Sequence, residues 1–173
     1  MPGTVYTVPP IPPDPDNTTW VEGGGLRIGV EYRLLDEAEL EANYEGKAME
    51  EVQANIQGAV DDDGVSLHVT SVRDGHEYLR FDCFQTGPHY HYIEPSGEKQ
   101  TIVDFDPAAM GEMLPWALNQ LRERLSPMLE YAGGADLLPE LDPTAVAGAL
   151  PEVERLARAA EKALAERSAR TRT

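Results

Sequence analysis

Residues 65–84 read Val65-Ser66-Leu67-His68-Val69-Thr70-Ser71-Val72-Arg73-Asp74-Gly75-His76-Glu77-Tyr78-Leu79-Arg80-Phe81-Asp82-Cys83-Phe84. Two alternating runs flank Asp74-Gly75, the pattern of a β-hairpin. A two-residue turn would pair Arg73 with His76 and set Val65, Leu67 and Val69 on the same face as Arg80 and Asp82. A three-residue loop, Arg73-Asp74-Gly75, pairs Val72 with His76 and uses Gly75 as a left-handed bulge residue. Val65, Leu67 and Val69 then share a face with Leu79, Phe81 and Cys83. A one-residue slip turns a strand over, so the need to bury one face selects the second register.

The opposite face of this hairpin carries Ser66, His68, Thr70, Tyr78, Arg80 and Asp82. Gln85-Thr86-Gly87-Pro88 turns into a third strand, 89–94. A four-residue loop pairing Phe84 with His89 places His91 opposite Asp82 and turns Tyr90 and Tyr92 toward the core. Pro95-Ser96-Gly97-Glu98 leads to a fourth strand, 99–105, and pairing Glu94 with Lys99 places His89 opposite Asp104. Upstream, the alternation Leu26, Ile28, Val30, Tyr32, Leu34 follows Gly23-Gly24-Gly25 and reads as a half-buried strand. Leu40, Tyr44, Ala48, Val52 and Ile56 recur every fourth residue, a helical stripe weakened by Gly46. Asp61-Asp62-Asp63-Gly64 reads as a polar turn. A calcium hand is excluded, because aligning Gly64 with its invariant glycine leaves Thr70 where a bidentate Glu is required.

Downstream, Asp106-Pro107 opens a helix with Asp as N-cap and Pro at the first helical position. A long apolar stripe runs from Met110 to Leu129, with Pro115 and Pro127 expected to kink or restart it and Gly133-Gly134 to end it. Asp142-Pro143 opens a second helical region in the same way, with Pro151 expected to restart it. The last helix has a thin stripe (Val153, Leu156, Ala160, Leu164), which suits weak packing or packing on another chain. Residues 1–16 hold six prolines and read as an extended, polyproline-like arm lying along its own domain or a neighbour. The expectation is an α+β fold: an antiparallel meander of four to five strands with C-terminal helices on one face. It divides into an arm (1–22), an α+β domain (23–134) and a helical extension (135–173).

The bulk numbers narrow the function classes. The 173-residue chain carries a formal net charge of −17, which argues against direct contact with nucleic acid or an anionic membrane. The charge is uneven: residues 155–173 hold six basic and two acidic side chains, a net +4, leaving −21 for the rest. An acidic body of this kind suits a basic protein partner or self-association. One cysteine excludes an internal disulfide framework, and no apolar run reaches membrane-spanning length. A cytoplasmic setting is expected, and the Arg/Ala-rich C-terminus has the composition of a high-GC bacterial genome.

All four histidines fall between residues 68 and 91. His89-Tyr90-His91 in a strand puts both imidazoles on one face. Cys83 points to the core and is read as a small buried hydrophobe rather than a nucleophile. Two functional readings follow. In the first, the protein is a non-enzymatic binding or accessory protein, and Tyr78 and Arg80 belong to a His/Tyr/Arg sheet face that meets a partner. In the second, it is a metal-dependent enzyme. His89 and His91, with Asp82 or Asp104 as carboxylate and His68 as a third nitrogen, would hold a divalent metal. Acid–base work by His91 oriented on Asp82 is the metal-free variant of that reading.

Overall fold

The computed structural model describes residues 2–56 and 60–172. Its frame is one antiparallel sheet of seven strands in the order β1-β7-β6-β5-β4-β3-β2. The strands are β1 (Thr4–Tyr6), β2 (Thr18–Gly23), β3 (Leu26–Asp36), β4 (Asp61–Ser71), β5 (Glu77–Phe84), β6 (His89–Ile93) and β7 (Gln100–Asp104). The four-to-five-strand expectation was short by the two edges. β1 and β2 come from the segment read as an arm, at either end of its proline run, where free N–H groups remain to pair with β7 and β3. Asp61–Asp63, expected as a turn, extends β4 because β3 continues far enough to pair with it, Asp36 facing Asp61.

The β4–β5 hairpin sets Val65 against Cys83, Leu67 against Phe81 and Val69 against Leu79, the register chosen from the buried face. Nearer the turn the ladder slips, so that Thr70 faces Glu77 and Tyr78 is the extra residue of a bulge. This corrects the placement of Tyr78. The bulge turns it into the main hydrophobic core, 2% exposed, and brings Glu77 to the polar face beside Arg80. The β5–β6 register is also two residues from expectation: His89 faces Asp82 and His91 faces Arg80. A slip of two preserves faces, so Tyr90 and Tyr92 still pack against the core. His89 opposite Asp104 is as expected.

One face of the sheet is covered by helices α3 (Pro107–Met110), α4 (Met113–Glu123), α5 (Leu125–Tyr131) and α6 (Pro143–Thr171). The Asp106 and Asp142 side chains cap α3 and α6 as Asp-Pro requires, accepting from Ala108 and Ala109 and from Ala145. The apolar stripe is broken at Gly111 and Arg124 rather than at its prolines, since Gly111 takes φ 80°, a left-handed conformation. Pro151 does not restart the last helix, which runs through it unbroken. The first half of α6 belongs to the main core through Val146, Leu150, Val153 and Ala157. It begins against the β2–β3 turn, where a Cβ on Gly24 (φ +61°) would lie 2.2 Å from the Asp142 carbonyl oxygen.

The other face, read as one that meets a partner, is covered by the chain's own arm and two helices. The proline-rich segment leaves β1 at one edge and reaches β2 at the other, so it must cross the five strands between them, six spacings or roughly 29 Å at about 4.8 Å each. An extended arm of this length spans that distance easily at about 3.1 Å per residue. Helices α1 (Glu37–Asn43) and α2 (Gly46–Ala54), one stripe interrupted before Gly46 (φ 55°), lie beside it. Val8, Ile11, Leu40, Tyr44 and Val52 form a second, smaller core there. The arm is pinned by Tyr44 Oη donating to the Pro9 carbonyl (2.7 Å) and Gln100 Nε2 donating to the Val8 carbonyl (3.2 Å).

Candidate metal centre

Strand alternation and register assemble the polar face in rows. One row runs Glu31, Ser66, Asp82, His89, Asp104 across β3 to β7; the next runs Gly29, His68, Arg80, His91, Ile102. Glu31, Ser66, His68, Arg80, Asp82, His91 and Gln100 are all buried. Burial of this many polar groups is tolerated only with partners, and nearly all have them.

Two clusters separate on either side of Arg80. In the first, His68 Nε2 lies 2.7 Å from Glu31 Oε1, and His68 Nδ1 lies 3.1 Å from Glu77. Arg80 donates through Nε and Nη2 to the same Glu77 carboxylate. Both ring nitrogens of His68 face carboxylates, which only accept, so the ring is held as a doubly protonated donor. Burial opposes that charge, but the Glu77 and Glu31 carboxylates outweigh it and raise the His68 pKa. Against the same burial, Arg80 and His68 hold Glu77 down at about 2. His68 therefore stands in a separate ion cluster, two strands from His91, and is not brought to the other imidazoles.

The second cluster is Asp82, His89 and His91, whose donor atoms all lie within 4.8 Å of one another. His89 Nε2 is 3.0 Å and His91 Nε2 2.9 Å from the same atom, Asp82 Oδ2. The other carboxylate oxygen, Oδ1, accepts from Ser66 Oγ. Each imidazole is oriented through its second nitrogen: His89 Nδ1 meets the Gly87 carbonyl at 2.7 Å, and His91 Nδ1 meets Gln100 Oε1 at 2.7 Å. The Gln100 amide is set by the Val8 carbonyl, which accepts from its Nε2 and leaves Oε1 toward His91. Asp62 fixes the loop that supplies the Gly87 carbonyl, its two carboxylate oxygens accepting from Thr86 N (3.0 Å) and Gly87 N (2.7 Å).

These contacts assign protons. Both Nδ1 atoms face acceptors and must carry hydrogens, so both Nε2 atoms are either lone pairs or second protons, and both aim at one carboxylate oxygen. Burial leads the shifts of both rings downward. At His89 the Asp82 bond and charge outweigh it and raise the pKa; at His91 burial prevails and the pKa is lowered, with His89 and Arg80 adding repulsion. Asp82, despite burial, is held well below the usual carboxylate range by the two imidazoles. A neutral His91 with Nδ1–H has a bare Nε2 facing a carboxylate oxygen at 2.9 Å, two acceptors with no proton between them. A second proton on Nε2, or a cation among the three atoms, satisfies that contact. A tetrahedral ion with ligands at about 2.0–2.2 Å spaces its donors roughly 3.3 Å apart. The two nitrogen–oxygen separations, 3.0 and 2.9 Å, are close to that spacing.

The centre opens on a cavity of about 210 Å³ between the sheet and the arm. His89, His91, Asp82, Asp104, Arg33 and Arg80 contribute polar wall; Tyr6, Val8, Ile11, Leu40, Tyr44 and Val52 contribute apolar wall. Asp104 lies on the cavity beside the His89 strand position but outside the three-residue set. Arg80 is only 2% exposed and lines the cavity beneath the arm, while Tyr78, equally buried, packs in the main core, so the two do not form one surface face. Cys83 packs against the core, and burial raises its thiol pKa.

The sequence alone did not single out Ser66, Gln100, Asp62 and Glu77. The signal for Gln100 was its place two residues from Ile102 on a face-matched strand, while Glu77 was hidden by the bulge. No curated protein and no solved structure matches this chain. Residues 20–157 match the family described as Domain of unknown function (DUF7700), a span that holds Asp82, His89, His91 and their orienting partners but not the arm residues roofing the cavity; the chain belongs to that family.

Proposed function

We propose that this protein is a metal-dependent enzyme that binds a divalent first-row ion, Zn²⁺ or Fe²⁺, through Asp82 Oδ2, His89 Nε2 and His91 Nε2. The observation that carries the reading is the convergence of both Nε2 atoms on one carboxylate oxygen while both Nδ1 atoms are committed elsewhere. Metal-bound histidines characteristically donate their second N–H to a carbonyl or carboxylate, and here the Gly87 carbonyl and the Gln100 amide oxygen accept from the two Nδ1 atoms. Two histidines and one carboxylate leave coordination positions free, as catalytic rather than structural sites do. Those positions face the cavity, where a small molecule could be polarised by the ion.

The non-enzymatic reading needs a partner surface other than the His/Tyr/Arg face. Tyr78 and Arg80 are too deeply buried to meet another protein without displacing the core or the arm. Its remaining support is the acidic body and the second half of α6, where Leu164 is the one buried residue beyond Ala157. Among the described residues no helix is long and apolar enough to cross a membrane.

The test is metal analysis of protein purified without chelator, followed by calorimetric titration of the stripped protein with Zn²⁺ and Co²⁺. One equivalent of tightly bound ion is expected, with Co²⁺ giving the visible absorption of a low-coordinate site. His89→Ala and His91→Ala should each reduce affinity by orders of magnitude while the far-ultraviolet dichroism is unchanged. Stoichiometric binding that survives both substitutions, or no binding by the wild type, would overturn the assignment.

A further inference from the structure

Arg33 stands on β3 opposite Gly64, so its neighbour on β4 contributes no side chain beside it. It lines the same cavity as the histidines and is 6% exposed. Its Nη1 is buried and has no hydrogen-bond partner; the nearest acidic atom, Glu31 Oε1, is 4.0 Å away, too far for a hydrogen bond. Glu31 is already engaged, by His68 through Oε1 and by the Asp14 backbone N–H through Oε2. A guanidinium N–H sealed from water without an acceptor is a costly arrangement, and it is rare unless something else supplies the acceptor.

The charge around the cavity points the same way. The buried or nearly buried acids are Glu31, Glu77 and Asp82, against Arg33, Arg80 and a protonated His68. Those six groups balance, so a divalent ion at the three-residue centre leaves the interior positive. Asp104, exposed at the rim, is the one further acid on the cavity wall. Apart from Gln100, the rest of that wall is apolar, with the rings of Tyr6 and Tyr44 among it. The volume of about 210 Å³ is below the 300–1,000 Å³ of sites for drug-sized ligands.

We infer that the cavity binds a small organic carboxylate, its anionic group on Arg33 and its apolar body against Val8, Ile11, Leu40 and Val52. The inference rests on the site of the proposed metal enzyme and names the class of molecule that site receives. Arg33 is the specificity-determining residue: a planar guanidinium matches a carboxylate, and the apolar wall offers nothing to a highly charged ligand. The arm that roofs the cavity fixes ligand size, since Val8 and Ile11 are held in place by the Pro9 and Val8 carbonyl hydrogen bonds.

The experiment uses hexanoate and benzoate as probes, with hexanamide and benzamide as their neutral counterparts. Binding is followed by calorimetry and ligand-observed NMR, in chelator and again with Zn²⁺ present. The carboxylates should bind more tightly than the amides by about tenfold or more in both conditions. Arg33→Met should abolish that preference, and Arg33→Lys should keep part of it. Each variant is checked by dichroism and thermal melting; if Arg33→Met does not fold, the wild-type preference and Arg33→Lys decide. Equal binding of acid and amide, an undiminished preference in Arg33→Met, or no binding of any probe would overturn the inference. Carboxylate binding in chelator together with a failed Zn²⁺ titration would retain this inference and remove the metal reading. Zn²⁺ binding without carboxylate preference would do the reverse.

Discussion

Gln100 links the centre to the arm through one planar amide, accepting from His91 with Oε1 and donating to the Val8 carbonyl with Nε2. Gln100→Leu keeps the volume but removes both bonds, leaving His91 Nδ1–H buried without an acceptor and free to change tautomer. Loss of such an orienting partner costs about 10–100-fold in metal affinity, and that drop is the expected outcome of a Zn²⁺ titration. Gln100→Glu restores the acceptor toward His91 and should recover most of the affinity despite losing the donor to Val8. Equal affinity in wild type and Gln100→Leu would mean that the His91 tautomer is set by something other than this amide. At this scale the sequence was informative about Asp82, His89 and His91, because strand alternation puts the two histidines on one face and burying the opposite face of the hairpin brings Asp82 to it. It was silent about Gln100, and it placed Ser66 on the polar face without a role, since neither residue type advertises itself. Their roles appear only when register places them within hydrogen-bond reach.

Among the elements, the two hairpins show what local pattern decides and what it leaves open. The face of each strand was legible, because exposing Leu67 or Phe81 costs about 1.5–3 kcal/mol each. Register along the face was not: slips by two residues leave the same side chains buried, so the β5–β6 pairing turned on the loop. The β5–β6 ladder closes at Asp82–His89 rather than Phe84–His89, so Cys83 and Phe84 pair with β4 alone, and Asp62 on β4 reaches across to hold the Thr86 and Gly87 amides. The bulge at Tyr78 was hidden for a different reason. A tyrosine and a glutamate can each occupy either face of a hairpin end, and only the joint demands of His68 and Arg80 draw Glu77 to the polar side. Asp62→Ala should release the loop while leaving the strands paired. Amide exchange at Thr86 and Gly87 should quicken, and Zn²⁺ affinity should fall several-fold as the Gly87 carbonyl ceases to orient His89. Protection at Val65, Leu67 and Phe81 should persist; its loss would mean that Asp62 supports the hairpin itself rather than the loop.

For the whole molecule, the decisive feature is that both faces of the sheet are covered. Composition pointed to one hydrophobic core, and the main core with its helices is that. An arm along its own domain was one reading of the proline-rich segment, but the face it covers was not legible, because the partners that hold it, Gln100, Tyr44 and Glu51, are distant in sequence. Covering the polar face removes its charges from water, so the fold depends on pH through buried pairs. His68 is the clearest case. Its pKa is raised in the folded state by Glu77 and Glu31, so its contribution to stability is complete below the unfolded value of about 6.5 and disappears as pH rises through the folded value. Glu77, lowered to about 2, contributes above the unfolded value of about 4.3 and loses that contribution as pH falls toward 2. The pair is therefore fully formed between about pH 4.3 and 6.5. Denaturant unfolding of the metal-free protein, wild type against His68→Gln, isolates this cluster from the metal-site histidines, which are common to both. The stability advantage of the wild type should be largest near pH 5–6 and should shrink as pH rises above neutrality. An advantage that is constant from about pH 5 to 9 would mean that the fold holds no extra proton at this cluster, against a protonated His68.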